Sequence, residues 1–125
     1  MTADLTDAEA LRTMVVAYGD VLDGELAPLG PRAGHDSGDP QTSGITFFSG
    51  HGVDVGVWEC TPGGWAITDR GNTETMMLLA GLVRITPAGG DPVELGEGDV
   101  FVLPKGWSGR WDVLETVRKF YVIAE

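Results

Sequence analysis

Cationic side chains are scarce in this chain: eight Lys and Arg stand against nineteen Asp and Glu, for a formal charge of −11. Nucleic acid is held through clustered Lys and Arg, so the deficit removes it from the expected partners. An acidic surface mainly promotes solubility, and by itself it favours a cationic or neutral ligand. Cysteine is reduced to Cys60, which excludes an intrachain disulfide framework and fits a reducing compartment. Its surroundings, Trp58-Glu59-Cys60-Thr61-Pro62, offer no obvious base, and a buried structural thiol is the expected role. Long apolar runs are missing as well. The longest, Met76 to Ala80, falls far short of the roughly 20 residues that a membrane helix needs. Met1-Thr2-Ala3-Asp4-Leu5 has neither a basic nor an apolar signal region. The expectation is a cytoplasmic protein with no membrane partner.

What is present fits one domain. The 125 residues are 42% hydrophobic, enough to bury a core, and contain no internal repeat. Thr6-Asp7-Ala8-Glu9 has the capping-box pattern, so a short helix from about Asp7 to Arg12 is expected. Met14-Val15-Val16-Ala17-Tyr18 could extend that helix or begin a strand. Its β-branched residues favour a strand, which Gly19 ends. Leu26 to Gly44 is dense in Pro, Gly, Asp and Ser and reads as an ordered loop or lid. Residues 1–44 are thus expected to pack as helix, strand and loop on a body formed by residues 45–125.

From Gly44 onward the pattern is all β: Ile45 to Phe48, Val53 to Cys60, Thr75 to Leu79, Leu82 to Thr86, Pro92 to Leu95, Val100 to Leu103, Gly109 to Leu114 and Val117 to Ile123. Turn clusters separate these runs, with Pro87-Ala88-Gly89-Gly90-Asp91 as a clear hairpin signal. Many short strands at this spacing indicate a sandwich or barrel.

Two motifs choose among those. Glu74 is followed after six residues by Gly81, and Gly98 after five by Pro104-Lys105-Gly106. This is the spacing of the two cupin motifs, and the chain resembles a single-domain cupin jelly-roll β-barrel. Trp58-Glu59-Cys60-Thr61-Pro62-Gly63-Gly64-Trp65, Glu74-Thr75-Met76-Met77, Pro104 to Trp111 and Val117 to Ile123 narrow the resemblance to the "cupin 3" group. That group is similar to the ureidoglycine aminohydrolases and to the Q protein of ethanolamine utilisation, and it also holds many small members with no assigned activity. The resemblance implies a homodimer, since related barrels often pair through their sheets.

The same resemblance would place manganese ligands at Thr68, Arg70, Glu74 and Gly109, of which only Glu74 binds a metal well. Ile67 and Asp69 offer no better pair at the first motif. His35, in Gly34-His35-Asp36-Ser37-Gly38-Asp39-Pro40, and His51, between Gly50 and Gly52, read as exposed loop residues. A sharper reading folds His35, Asp36 and Asp39 over the barrel mouth as a lid. The expectation is no metal and no other cofactor.

Alternation puts Glu74 on one face with Met76 and Leu78, and Lys119 with Tyr121. A carboxylate in such company needs a partner, for which Arg70, Lys119 and Tyr121 are the candidates. Trp58, Trp65, Trp107 and Trp111 each lie near a motif, and Trp111 is the best placed to face a ligand. The expected binding mouth comprises Trp65, Arg70, Glu74 and Met76 with Trp107, Trp111 and Tyr121. It suits a small planar, cyclic or cationic organic molecule. Three functions remain open: a metal-free binding or sensing module, an enzyme of the aminohydrolase or isomerase kind acting on a small amide, ureide or amine, and a purely structural role as a partner subunit. The second needs either a noncanonical metal or Glu74 working with Lys119 or Tyr121 as catalytic residues.

Overall fold

The computed structural model describes residues 14–125, and these form one curled antiparallel sheet of nine strands. In chain order they are β1 (Ala27–Pro31), β2 (His35–Gly38), β3 (Gln41–Gly50), β4 (Val53–Cys60), β5 (Gly63–Ile67), β6 (Thr73–Pro87), β7 (Val93–Gly96), β8 (Val100–Leu103) and β9 (Gly109–Ala124). The main path runs β1-β3-β4-β9-β5-β2, and β6 pairs with β7, β8 and β9. β9 is the spine: its first half pairs with β5, its second half with β4, and both halves with β6. The core lies between the curled halves, where Leu78, Val83, Val113 and Val117 are almost wholly buried beside Trp65 and Trp111. No helix among the described residues is long and apolar enough to cross a membrane.

The all-β barrel reading holds, and β4 and β8 have the expected bounds. Several local expectations are corrected. Met14–Tyr18 forms no strand and leads instead into a 3-10 turn at Gly19–Leu22. The helix expected at Asp7 to Arg12 lies outside the described residues. Leu26–Gly44 is not a loop: it carries β1, β2 and the start of β3. Its Pro and Gly residues are compatible with strands because of where they fall. Pro28 and Pro31 sit on an edge strand, where a missing N–H breaks no inner ladder, and Gly30, Gly34 and Gly38 take positive φ at kinks and turns. β5 was not foreseen, because Gly63-Gly64 reads locally as a turn.

The separate runs 75–79 and 82–86 are one strand, as are 109–114 and 117–123. What divides β6 is a bulge. Glu74, Met76 and Leu78 point inward before it, Val83 and Ile85 after it, and the register with β9 shifts between Leu78 and Val83. An extra residue in a strand reverses its face parity, so the bulge lets both halves of β6 bury their apolar side. Gly81 stands there with φ 91°, and a Cβ would collide with the Thr116 carbonyl. That is the physical reason for the glycine of the first motif.

Candidate functional site

Strand register decides which side chains meet. Trp58 of β4 and Leu78 of β6 stand opposite Lys119 of β9, Met76 opposite Tyr121, and Trp65 of β5 opposite Trp111. Directly opposed residues project to one face. Lys119, Tyr121 and Ile123 therefore share the inner face with Trp58, Trp65 and Glu74. With Arg32, Ile67 and Arg70 they enclose a cavity of about 260 Å³. Pockets for drug-sized ligands start at about 300 Å³, so this one suits a smaller molecule.

Glu74 is one of its lining residues and only 3% exposed. Arg70 Nη2 donates to its Oε1 at 2.6 Å, and Lys119 Nζ lies 2.7 Å from Oε2. The second contact is an ion pair whose angles fall outside those of a directed hydrogen bond. Two cations on one carboxylate answer the desolvation cost of burying it, several kcal/mol per ion. The Lys119 ammonium is also held between rings, 4.5 Å from the centroid of Trp58 and 4.8 Å from that of Trp111. Burial pushes its pKa down, Glu74 opposes that shift, and Arg70 and Arg32 add to it.

The aromatic wall is a cluster of three. Trp65 and Trp111 stack at 5.8 Å and 13°, and Trp58 meets both edge-on at 6.1 and 6.3 Å. Arg32 lays its guanidinium 4.8 Å from the Trp65 centroid. Its backbone ties the end of β1 to the segment before β3: the Arg32 N–H donates to Pro40 O at 2.9 Å, and the His35 N–H donates to Arg32 O at 3.3 Å. Arg70 belongs to the turn between β5 and β6, which is fixed to the turn before β9. There the Arg70 N–H donates to Trp107 O at 2.9 Å, the Gly106 N–H to Arg70 O at 2.6 Å, and the Asp69 N–H to Ser108 Oγ at 2.8 Å.

Of the expected mouth residues, Trp65, Arg70, Glu74, Trp111 and Tyr121 meet around this cavity, together with Lys119, which was expected as the partner of Glu74. Two do not line it. Met76, 1% exposed, packs into the core because its neighbour across the ladder on β8 is Phe101. Trp107 lays its ring over Gly109, where a Cβ would come within 2.5 Å of the indole. The Tyr121 hydroxyl is 3.5 Å from Thr46 Oγ1, so it turns toward β3 while Lys119 turns to Glu74. Sequence reasoning missed Arg32, Trp58, Ile67 and Ile123. Alternation along β4 could have placed Trp58, two residues from the inward Cys60.

Neither histidine reaches the cavity. His35 is exposed on β2, with Nδ1 2.8 Å from Arg32 O, and His51 is exposed in the β3–β4 turn at φ 53°. The lid reading fails with it: β2 is bonded to β5, Asp36 forms an ion pair with Arg110 at 2.7 Å, and Asp39 accepts from Gln41. Arg110 holds the exposed Asp36 carboxyl below its usual range.

A metal of the kind the fold accommodates does not fit these residues. Among the described residues no group of three or more His, Cys, Asp and Glu could hold one. Both oxygens of Glu74 are engaged by cations, and Trp107 fills the space that a side chain at position 109 would need.

The motif geometry agrees with the comparisons. The EutQ-like cupin domain family matches residues 49–121, more than half of the chain, and the chain belongs to that family. No curated protein matches it in sequence. Among solved structures it is similar to a protein of unknown function of the DUF861 family from Pseudomonas syringae pv. tomato, at 25% identity and TM-score 0.74. That alignment covers 82% of this chain and 46% of the Pseudomonas protein, so the chain spans about half that protein's length. The EutQ protein of Clostridium difficile aligns at 19% identity and TM-score 0.60, over 68% of each chain. The cupin domain of Schizosaccharomyces pombe Cnp3 aligns at 19% and 0.58, over 66% of this chain and 64% of that domain. The last two likenesses speak to the fold alone.

Proposed function

We propose that this protein is a cupin whose pocket binds a small organic molecule without a metal. The observation that carries the reading is Glu74, whose two oxygens are occupied by Arg70 and Lys119 at 2.6 and 2.7 Å. The Lys119 ammonium takes the place beside the carboxylate that a divalent cation would need. The cavity is small and flanked by three indoles, which suits binding of a compact flat molecule.

A catalytic reading has one observation in its favour, the direct Glu74–Lys119 contact, which could pass a proton once a substrate separates the pair. It is the narrower proposal, because the Tyr121 hydroxyl bonds toward Thr46 and leaves Glu74 and Lys119 as the whole proton-transfer set.

The test is metal content by mass spectrometry on protein purified without chelator, beside the Glu74→Ala protein. Metal far below one equivalent in both is expected. A near-stoichiometric metal that vanishes in the variant would refute the proposal. Unchanged turnover of a true substrate in Glu74→Gln and Lys119→Met would remove the catalytic reading.

A further inference from the structure

The charges around the cavity run against those of the chain. Arg32, Arg70 and Lys119 line it with Glu74 as the one carboxylate, so its wall carries a formal +2 in a protein of −11. Low-dielectric walls bearing one sign of charge focus the field and concentrate counter-ions.

The hydrogen-bonding capacity is unbalanced in the same direction. Glu74 is shared between Arg70 and Lys119, and Arg32 has no carboxylate partner among the described residues. Among the described residues the Arg32 side chain donates only to the neighbouring Ala33 carbonyl. Two residues that line the cavity also carry a buried donor without an acceptor among the described residues, Arg70 at Nε and Trp111 at Nε1. Buried donors lacking partners are destabilising, and what they lack is an acceptor.

The ring faces point the same way. A cationic ligand would need a free aromatic face, but Lys119 already stands over Trp58 and Trp111, and Arg32 over Trp65. The protein's own cations hold those seats.

We infer that the ligand is a small monocarboxylate with a flat body, its carboxylate received by Arg32 and Arg70 and its body lying in the rest of the cavity, beside Ile67, Tyr121 and Ile123. A guanidinium offers paired N–H donors that match a carboxylate edge, and such charge-assisted pairs are the strong ones. The anion supplies the carboxylate that Arg32 lacks among the described residues. Arg32 sets the specificity, because Arg70 is already committed to Glu74. This inference rests on the proposed binding pocket and adds the charge of the ligand.

Three isosteric probes separate the two ideas: benzoate, benzamide and benzamidine carry charges of opposite sign or none on one flat body. Each is titrated into the full chain by calorimetry, with the tryptophan indole N–H signals followed by NMR. Benzoate is expected to bind at least about tenfold more tightly than benzamide, with benzamidine weakest. Arg32→Gln is expected to bring benzoate and benzamide within about twofold of each other, and Arg32→Lys to restore only part of the gap. Equal affinity for benzoate and benzamide, with indole shifts for both, would overturn the carboxylate inference and leave the pocket standing. A preference for benzamidine would do the same. Failure of all three to bind at millimolar concentration would overturn the inference and the pocket together.

Discussion

Alternate residues of β6 and β9 live in opposite surroundings. On the inner face, Glu74 and Lys119 are charges buried to 3% and 8% exposure. On the outer face, strand pairing aligns Ile45, Val57, Phe120, Met77 and Val100 in one row across five strands. A second row holds Phe48, Val55, Val122, Thr75 and Val102. Val100 and Val102 are 62% and 50% exposed. An ordinary half-buried strand puts its apolar residues in and its charges out. Here both departures fall on the same strands, and they teach that stability alone did not arrange them. Buried ion pairs seldom stabilise more than apolar side chains of the same shape, so the inner charges point to a ligand. Val57 is fully buried within its row, but Ile45, Met77, Val100 and Val102 leave an apolar patch exposed, and such a patch points to a covered surface.

The largest effect should come from breaking the inner arrangement on one side only. Glu74→Ala leaves Arg70 and Lys119 buried without a counter-charge, and a loss of about 3 to 5 kcal/mol in unfolding free energy is expected from denaturant titration. Replacing both members, Glu74→Gln with Lys119→Met, should recover more than half of it, because the buried ammonium goes as well. A double variant no better than Glu74→Ala would mean that the pair is not coupled.

The parity of β6 is the next point to disturb, since it decides which residues are inner at all. Gly81→Ala adds a Cβ at positive φ against the Thr116 carbonyl. Backbone strain of about 1 to 3 kcal/mol and overpacking of similar size combine to an expected loss of about 2 to 4 kcal/mol. Gly98→Ala provides the contrast: its φ is 86° but no atom lies within 4 Å of the added Cβ, so only the strain should register.

A third inner-face group, Cys60, can be read through pH. It is fully buried, and burial pushes its thiol from an ordinary 9.0 up to about 11. Between those values the unfolded chain releases a proton that the folded chain keeps, so stability falls as pH rises from 9 toward 11. The full loss is on the order of 3 kcal/mol. Lys119 titrates in the opposite sense, because its lowered pKa makes folding gain as the ammonium is neutralised. The Cys60→Ala protein separates them: subtracting its pH profile should leave the thiol contribution alone, and a flat difference would show that Cys60 does not titrate with folding.

How much of this was legible depends on the range over which each feature is decided. The glycines of the two motifs were readable because their geometry is local: Gly81, Gly98 and Gly106 all have positive φ. Alternation set Glu74 beside Met76 and Lys119 beside Tyr121 on shared faces, which is also local. It could not show that Met76 sinks into the core while Glu74 borders the cavity, since that depends on what β8 places opposite. Arg32 gave no signal at all. It follows Pro31 and precedes Ala33-Gly34, and only the pairing of β1 with β3 and of β2 with β5 brings it over Trp65. β5 was hidden for a related reason: its glycines are there for close approach, since a Cβ on Gly64 would meet Arg110 and Asp112.

The smallest effect on the monomer is expected on the outer face, where the comparison is sharpest. Val100 and Val102 lie on β8, which among the described residues pairs only with β6 and so forms an edge. Replacing both by lysine removes no buried contact, and each should change unfolding free energy by less than about 0.5 kcal/mol. We propose that a second copy of the chain covers these rows, in which case the same substitutions bring two like charges into the centre of a two-fold interface. Like charges brought together from symmetry-related positions oppose association strongly. Sedimentation should therefore show the unsubstituted chain as a dimer and the Val100→Lys, Val102→Lys protein as a folded monomer. A monomeric unsubstituted chain would refute the dimer. A dimer that survives both lysines would move the interface to another face and leave the apolar rows to a different partner.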